Sequence, residues 1–292
     1  MSAHTFHQVR EHSFDIASGP DAVLASLCQT WEELVGEHPG LDILAAAVAL
    51  PGPVSAQTGE LIAPARMPGW HGLRVGDVLE EAMGIPVRVE NDARAAALGE
   101  YVVRDESLGD FIYVKAGTGI GAGLISGGQL FHGGTGVAGD ITHSPVPGGE
   151  GRACSCGRIG CLETVASGAA IRRELTDQGL SVPSIREVID LAVTFEPAAT
   201  TALRRSGKQL GTALSPLVNF LNPSAVVIGG ALSSVDAYVA AVRSAIYDSS
   251  LAMTTQDLLI TTATAGSDSA LLGLSRIARH AAPLPVPTGS SR

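Results

Sequence analysis

Apolar positions along the chain switch repeatedly between a spacing of three to four and short unbroken runs, the pattern of helices alternating with buried strands. Residues 5–16 alternate loosely and predict one strand. Gly19 and Pro20 then open a helix over 21–37, on which Val23, Leu24, Leu27, Trp31, Leu34 and Val35 share a face. A buried strand over 43–50 stops at Pro51-Gly52-Pro53, because proline cannot donate to a ladder. Gly52 therefore lies in a fixed loop at a strand's carboxyl end, where open α/β sheets bind ligands. A helix near 75–83, a strand over 87–90 and an Ala-rich helix from 93 complete the first half.

The pattern restarts at 111, where 24 residues (FIYVKAGTGIGAGLISGGQLFHGG) read as strand, glycine turn, strand, turn, strand. The run ETVASGAAIRREL reads as one helix starting at Glu163 and running into the helical segment around 169–177, and helices around 185–192 and 198–221 follow. Then come a buried strand over 225–230, a helix over 235–247, a strand near 258–262 and a last helix near 269–280. A chain of 292 residues exceeds one usual domain, so two lobes are expected. They are 1–105, joined by the helix 268–281, and 106–267, which carries an insertion over 139–163. The Pro- and Ser-rich residues 282–292 predict a disordered tail.

Composition narrows the class of function. Hydrophobic content of 45% supports a buried core, and no apolar run reaches the length of a membrane span. No basic-then-apolar leader opens the chain. A net charge of −10 without a Lys/Arg cluster argues against direct nucleic-acid binding by this chain. Cysteines grouped for metal and not for pairing fit a reducing cytoplasm, and Cys28 reads as a core thiol.

The densest chemistry lies in 139–163. Cys154, Cys156 and Cys161 fall within eight residues, with His143 eleven residues ahead of the first. Three thiolates and an imidazole complete a tetrahedral zinc set with no position left for water, so the metal is expected to be structural. Scattered core thiols would not gather in a loop so rich in Gly and Pro. Asp140 and Glu163 flank the knot, which would fix them as polar ligand contacts. Glu163 reads equally well as a first-turn helix acid.

Asn91 and Asp92 sit where a strand runs into a helix. Either could cap the helix, or both could point at a ligand. In the second half, Gly117-Thr118-Gly119-Ile120-Gly121 offers bare amides suited to a phosphate, although no Gly-Lys-Ser/Thr of a Walker loop follows.

The run Cys154-x-Cys156-Gly-x-x-Gly-Cys161-x-Glu163, with Asp140-x-x-His143 ahead of it, resembles the signature of the repressor, open reading frame, kinase (ROK) family. That family unites bacterial sugar kinases and sugar-responsive transcription regulators. The resemblance implies a two-lobed α/β actin-like (ribonuclease H-like) sugar-kinase fold with a central cleft and a structural zinc knot. It makes Asp92 a general base toward a sugar hydroxyl, with Gly52, Asn91, Asp92, Asp140, His143 and Glu163 as sugar contacts. Gly117, Thr118, Gly119 and Gly121 become a nucleotide phosphate loop, and Gly229 and Gly230 the adenosine side. The family's usual dimers or tetramers are expected, as are ATP and Mg²⁺ if the chain is a kinase.

In this fold an opening hairpin bearing Asp-x-Gly-Gly-Thr grips phosphates and Mg²⁺. No residue before Gly19 is glycine, and there is room for one strand only, so the reading expects a start upstream or a truncation. The segments Pro68-Gly69-Trp70, Lys115 to Gly123 and Gly139-Asp140 look more like the family's regulators. The expectation is therefore the effector-binding part of a sugar-responsive repressor, with an ATP-dependent hexose kinase as the alternative.

Overall fold

The computed structural model describes residues 8–12 and 14–283, which divide into two compact units. One is 1–91 with 274–292, and the other is 92–273. Among the described residues of 5–16 there is no strand, only a 3-10 turn over Ile16–Ser18 held by the Asp15 carboxylate on the Ala17 amide. Residues 5–7 and 13, like 284–292 of the expected tail, lie outside the described residues.

In the smaller unit Pro20 begins α1 (Pro20–Glu37), where its fixed φ and missing N–H cost nothing. Strand β1 (Ala46–Leu50), helix α2 (Val75–Met83) and strand β2 (Val87–Asn91) follow. Helix α2 ends at Gly84, whose left-handed φ of 70° lets its N–H close on the Glu80 carbonyl. β1 and β2 pair in parallel, with Leu50 opposite Asn91. Val23, Leu24, Leu61, Met67, Trp70 and Leu79 form the core beneath them. Trp70 is fully buried and its indole N–H reaches the Ile16 carbonyl at 3.3 Å.

The larger unit opens with α3 (Asp92–Val103) and holds a five-stranded sheet. Its strands are β3 (Phe111–Ala116), β4 (Ile120–Ser126), β5 (Gln129–Leu130), β6 (Ala225–Gly229) and β7 (Leu259–Thr262), in the order β5-β4-β3-β6-β7. β3, β6 and β7 are parallel, and β4 turns back antiparallel on β3. β6 is buried along its whole length, as its unbroken apolar run requires when both faces are covered.

The helix expected from Glu163 is in fact two. α4 (Glu163–Ala166) stops where Ser167 turns extended and caps α5 (Gly168–Asp177) with its hydroxyl on the Ala170 amide. After α6 (Ile185–Val193), helix α7 (Pro197–Leu221) packs against α8 (Asp236–Ser249) through Gly207 and Gly211. A methyl group on Gly211 would lie 2.4 Å from the Val242 carbonyl oxygen, so only glycine permits this approach. α9 (Ala252–Thr255) precedes β7, and α10 (Ser269–Ala281) is the last helix among the described residues. No described helix is long and apolar enough to cross a membrane.

The sequence reading places 92–105 with the first lobe, whereas in the structure α3 packs on the sheet of the larger unit. Gly121 and Gly123 of β4 make this possible. Added methyl groups there would come within 2.9 Å of Ala93 Cβ and 2.8 Å of Ala97 Cβ. The Ala-rich sequence of α3 is thus the counterpart of a glycine-faced strand.

Candidate functional site

Because Ala93 sits directly on Gly121, the preceding residue, Asp92, is delivered to the end of β3. There the Lys115 ammonium donates to Asp92 Oδ2 at 2.5 Å. The Lys115 side chain is 42% exposed and the Asp92 side chain 19%. In register, Lys115 stands between Gly121 of β4 and Gly229 of β6. Lys115 is the only charge in a strand that is otherwise buried. That signal could have marked it as functional from sequence, but nothing in the sequence named its partner 23 positions away.

Asn91, on the smaller unit's side of the junction, donates from its side-chain amide to the Gly52 carbonyl at 3.1 Å. Its own backbone amide is taken by the Glu90 carboxylate at 2.7 Å. Gly52 itself is packed against Pro64, Leu61 and Met67, the nearest 3.0 Å from where a methyl would stand. Two of the expected sugar contacts are therefore directly bonded to each other.

The 139–163 stretch folds as expected of a metal knot. His143, Cys154, Cys156 and Cys161 bring one donor atom each to within 4.8 Å of one another. His143 Nδ1 lies 3.5 Å from Cys154 Sγ, and Cys156 Sγ lies 3.7 Å from Cys161 Sγ. The edges of a zinc tetrahedron with thiolate and imidazole ligands are about 3.8 Å and about 3.5 Å, so the donor set fits that ion. Burial and the adjoining thiols push Cys161 up to about 12 when no cation stands among them, a preference that a divalent ion reverses. Short antiparallel bridges, Pro145 with Cys161 and Ala153 with Ile159, hold the ribbon that carries the four.

The acids beside the knot are engaged locally. Asp140 Oδ1 accepts from the Thr142 amide at 3.1 Å. Glu163 is buried, and its Oε2 accepts from the Ile120 amide at 3.0 Å. Thr142 was absent from the residues expected to bind, yet its hydroxyl donates to the Ile120 carbonyl at 2.6 Å. Arg94 was also unanticipated. It is buried on α3 and donates to the Gly136 carbonyl, tying down the loop that leads to Asp140.

The glycine turn sits on the start of α5. Gly117 and Thr118 accept at their carbonyls from the amides of Gly168 (2.8 Å) and Ala169 (2.9 Å). A methyl group on Gly117 would meet nothing nearer than 4.0 Å, so packing does not demand glycine there. It does at Gly229 and Gly230. A methyl on the first would lie 2.0 Å from the Tyr113 hydroxyl, and on the second 2.4 Å from the Ala116 carbonyl oxygen.

A sequence model of the ROK family matches residues 11–281. The chain belongs to the ROK family. A glucokinase of Halalkalibacterium halodurans is 33% identical over 219 residues, covering 69% of this chain and 66% of that protein. A xylose repressor of Caldicellulosiruptor bescii is 29% identical over 205 residues, covering 65% of this chain and 51% of the repressor. The chain thus spans about half to two thirds of these relatives. Among solved structures, a ROK family glucokinase from Streptomyces griseus, in complex with glucose and AMPPNP, superimposes with a TM-score of 0.80 at 25% identity. That match covers 90% of this chain and 89% of the other. The α/β sugar-kinase fold expected from the motif is the fold observed, and ROK relatives include both kinases and regulators.

Proposed function

We propose that this ROK chain binds a sugar without phosphorylating it, as the effector-binding part of a sugar-responsive transcriptional regulator. The observation that carries this reading is the Lys115 ammonium on the Asp92 carboxylate. A general base must offer its lone pair to the hydroxyl proton, and an ammonium already donating to that carboxylate competes for it. A binding site has no such conflict, since the pair presents both donors and acceptors to sugar hydroxyls. Asn91, Asp92, Asp140 and Glu163 supply hydroxyl contacts in this reading, and the four Cys and His donors hold a structural zinc. Occupancy shifts the population of conformations, which is the regulator's output.

A panel of hexoses and amino sugars tested by thermal melting decides the matter. At ~100 times its Kd the right sugar adds about 2.7 kcal/mol, a rise in Tm of roughly 5–10 °C. Asp92→Asn and Glu163→Gln are expected to abolish that rise. If no sugar moves Tm, or both variants keep the shift, the reading is wrong.

A second reading, an ATP- and Mg²⁺-dependent hexose kinase with Asp92 as base, has support in a glycine at 117 that packing does not require and in the similarity to glucokinases. In that reading Gly117, Thr118, Gly119 and Gly121 face the phosphates, and Gly229 and Gly230 the adenosine. Coupled ADP release over the same sugars tests it directly, and turnover that vanishes in Asp92→Asn would replace the first reading.

A further inference from the structure

Ile120 opens β4 opposite Ala116, one residue after the glycine turn. The Gly117 amide bonds the Gly119 carbonyl, so 117 and 119 form the hydrogen-bonded pair of the hairpin. By the alternation of an antiparallel ladder, 116 and 120 are the non-bonded pair, and Ile120 turns its N–H and C=O away from β3. β5 has two residues and pairs only with Ile125 and Ser126, so among the described residues no strand covers β4 at Ile120.

Two side chains from the Cys/His stretch take the place of that strand. The Ile120 amide donates to Glu163 Oε2 at 3.0 Å, and the Thr142 hydroxyl donates to the Ile120 carbonyl at 2.6 Å. The Glu163 amide donates to the Thr142 carbonyl at 3.0 Å, which closes a ring of three residues. Ile120 is 7% exposed and Glu163 6%, so water does not replace these bonds when they break. Thr142 also donates from its own amide to Asp140 Oδ1.

We propose that Thr142 is a positioning residue that transmits sugar occupancy at Asp140 and Glu163 to the glycine turn at 117–119. The inference rests on the reading of those acids as sugar contacts. Glu163 cannot move to meet a hydroxyl without changing its hold on the Ile120 amide, which adjoins Gly119. Thr142 makes that movement directional, because it fixes the carbonyl of the same residue while bonding Glu163 through its backbone. Sugar occupancy at Glu163 and the order of the turn are therefore coupled, each biasing the other by the same free energy.

Hydrogen exchange of the whole chain, followed at 117–122 in wild type, Thr142→Val and Thr142→Ser, tests the assignment. Valine keeps the shape and loses the donor, and serine keeps the donor. Without sugar, exchange at 117–122 is expected to rise roughly three- to tenfold in Thr142→Val only, with other segments unchanged. With the hexose identified by melting, wild type and Thr142→Ser gain protection at 117–122. Thr142→Val binds the hexose with Kd within about threefold yet gains no protection there.

Equal sugar-dependent protection in Thr142→Val overturns the proposal. So does loss of sugar binding in that variant, which would make Thr142 a contact and not a relay. If wild type binds no hexose, the sugar-binding reading falls by itself. The sugar-free comparison then still decides whether Thr142 holds the turn.

Discussion

Stripping metal from the chain with a strong chelator, or replacing Cys161 with Ser, is expected to lower Tm by more than about 10 °C. The reason lies in how little else holds 139–163 together. Ile141 and Leu162 are its buried aliphatic side chains apart from the cysteines, and Ile159 at its tip is 65% exposed. Glycines at 139, 148, 151, 157 and 160 adopt positive φ, so the unfolded segment is unusually free and its ordering costs correspondingly more. One ion bridging the four donors would offset that cost. Apparent binding free energies of about 10–16 kcal/mol for structural zinc in small domains leave ample margin, even if a third of it reaches global stability. The damage would spread beyond the knot, because the amides of Leu162 and Glu163 bond Ser144 and Thr142 across the cluster. The check is elemental analysis for about one zinc per chain, with melting before chelation, after it, and after zinc is returned. Unchanged melting in Cys161→Ser and metal-free protein with intact cysteines would together refute the structural zinc.

Gly99→Ala and Gly273→Ala are each expected to destabilise the protein by about 3 kcal/mol or more, lowering Tm by roughly 6–12 °C. Within the larger unit, α3 meets the first turn of α10 backbone to backbone. A methyl on Gly99 would lie 1.7 Å from the Ser269 carbonyl oxygen, and one on Gly273 would lie 1.8 Å from that of Ala95. Alanine gains about 1 kcal/mol of helix propensity over glycine, which by itself favours the substitution. The clash outweighs it, since both struck atoms are main-chain atoms of a helical turn and cannot rotate aside. Moving α3 also moves Asp92 at its first residue, so these variants should lose sugar-dependent stabilisation along with Tm. Gly117→Ala is the control, with Tm within about 1 °C of wild type because its methyl would meet nothing nearer than 4.0 Å. If Gly99→Ala melts like that control, the close crossing of α3 and α10 is wrong.

Much of the chain's local structure was legible in its residues. Helix α2 has the bounds read for it over 75–83, and β3, β4 and β6 stand where their apolar runs are. The donor set His143, Cys154, Cys156 and Cys161 was readable for the same reason: metal ligands in a tight loop are set by sequence spacing. The single helix read from Glu163 was not borne out, because Ser167 competes for the backbone as an N-cap, and a hydrophobic period does not register that competition.

What only the tertiary structure decided is which groups meet. Lys115 and Asp92 pair because Gly121 lets α3 settle onto β4, and neither residue carries a trace of that approach in its own neighbourhood. Glycines 121, 229 and 230 read as ligand-facing, yet each is demanded by a neighbour that would otherwise collide with a methyl group. Thr142 and Glu163 find Ile120 because β5 is too short to cover the edge of β4. Patterns along the chain record burial and backbone preference, which are local. Hydrogen bonds between distant segments depend on which surfaces pack together, and that is settled only when the whole unit has folded.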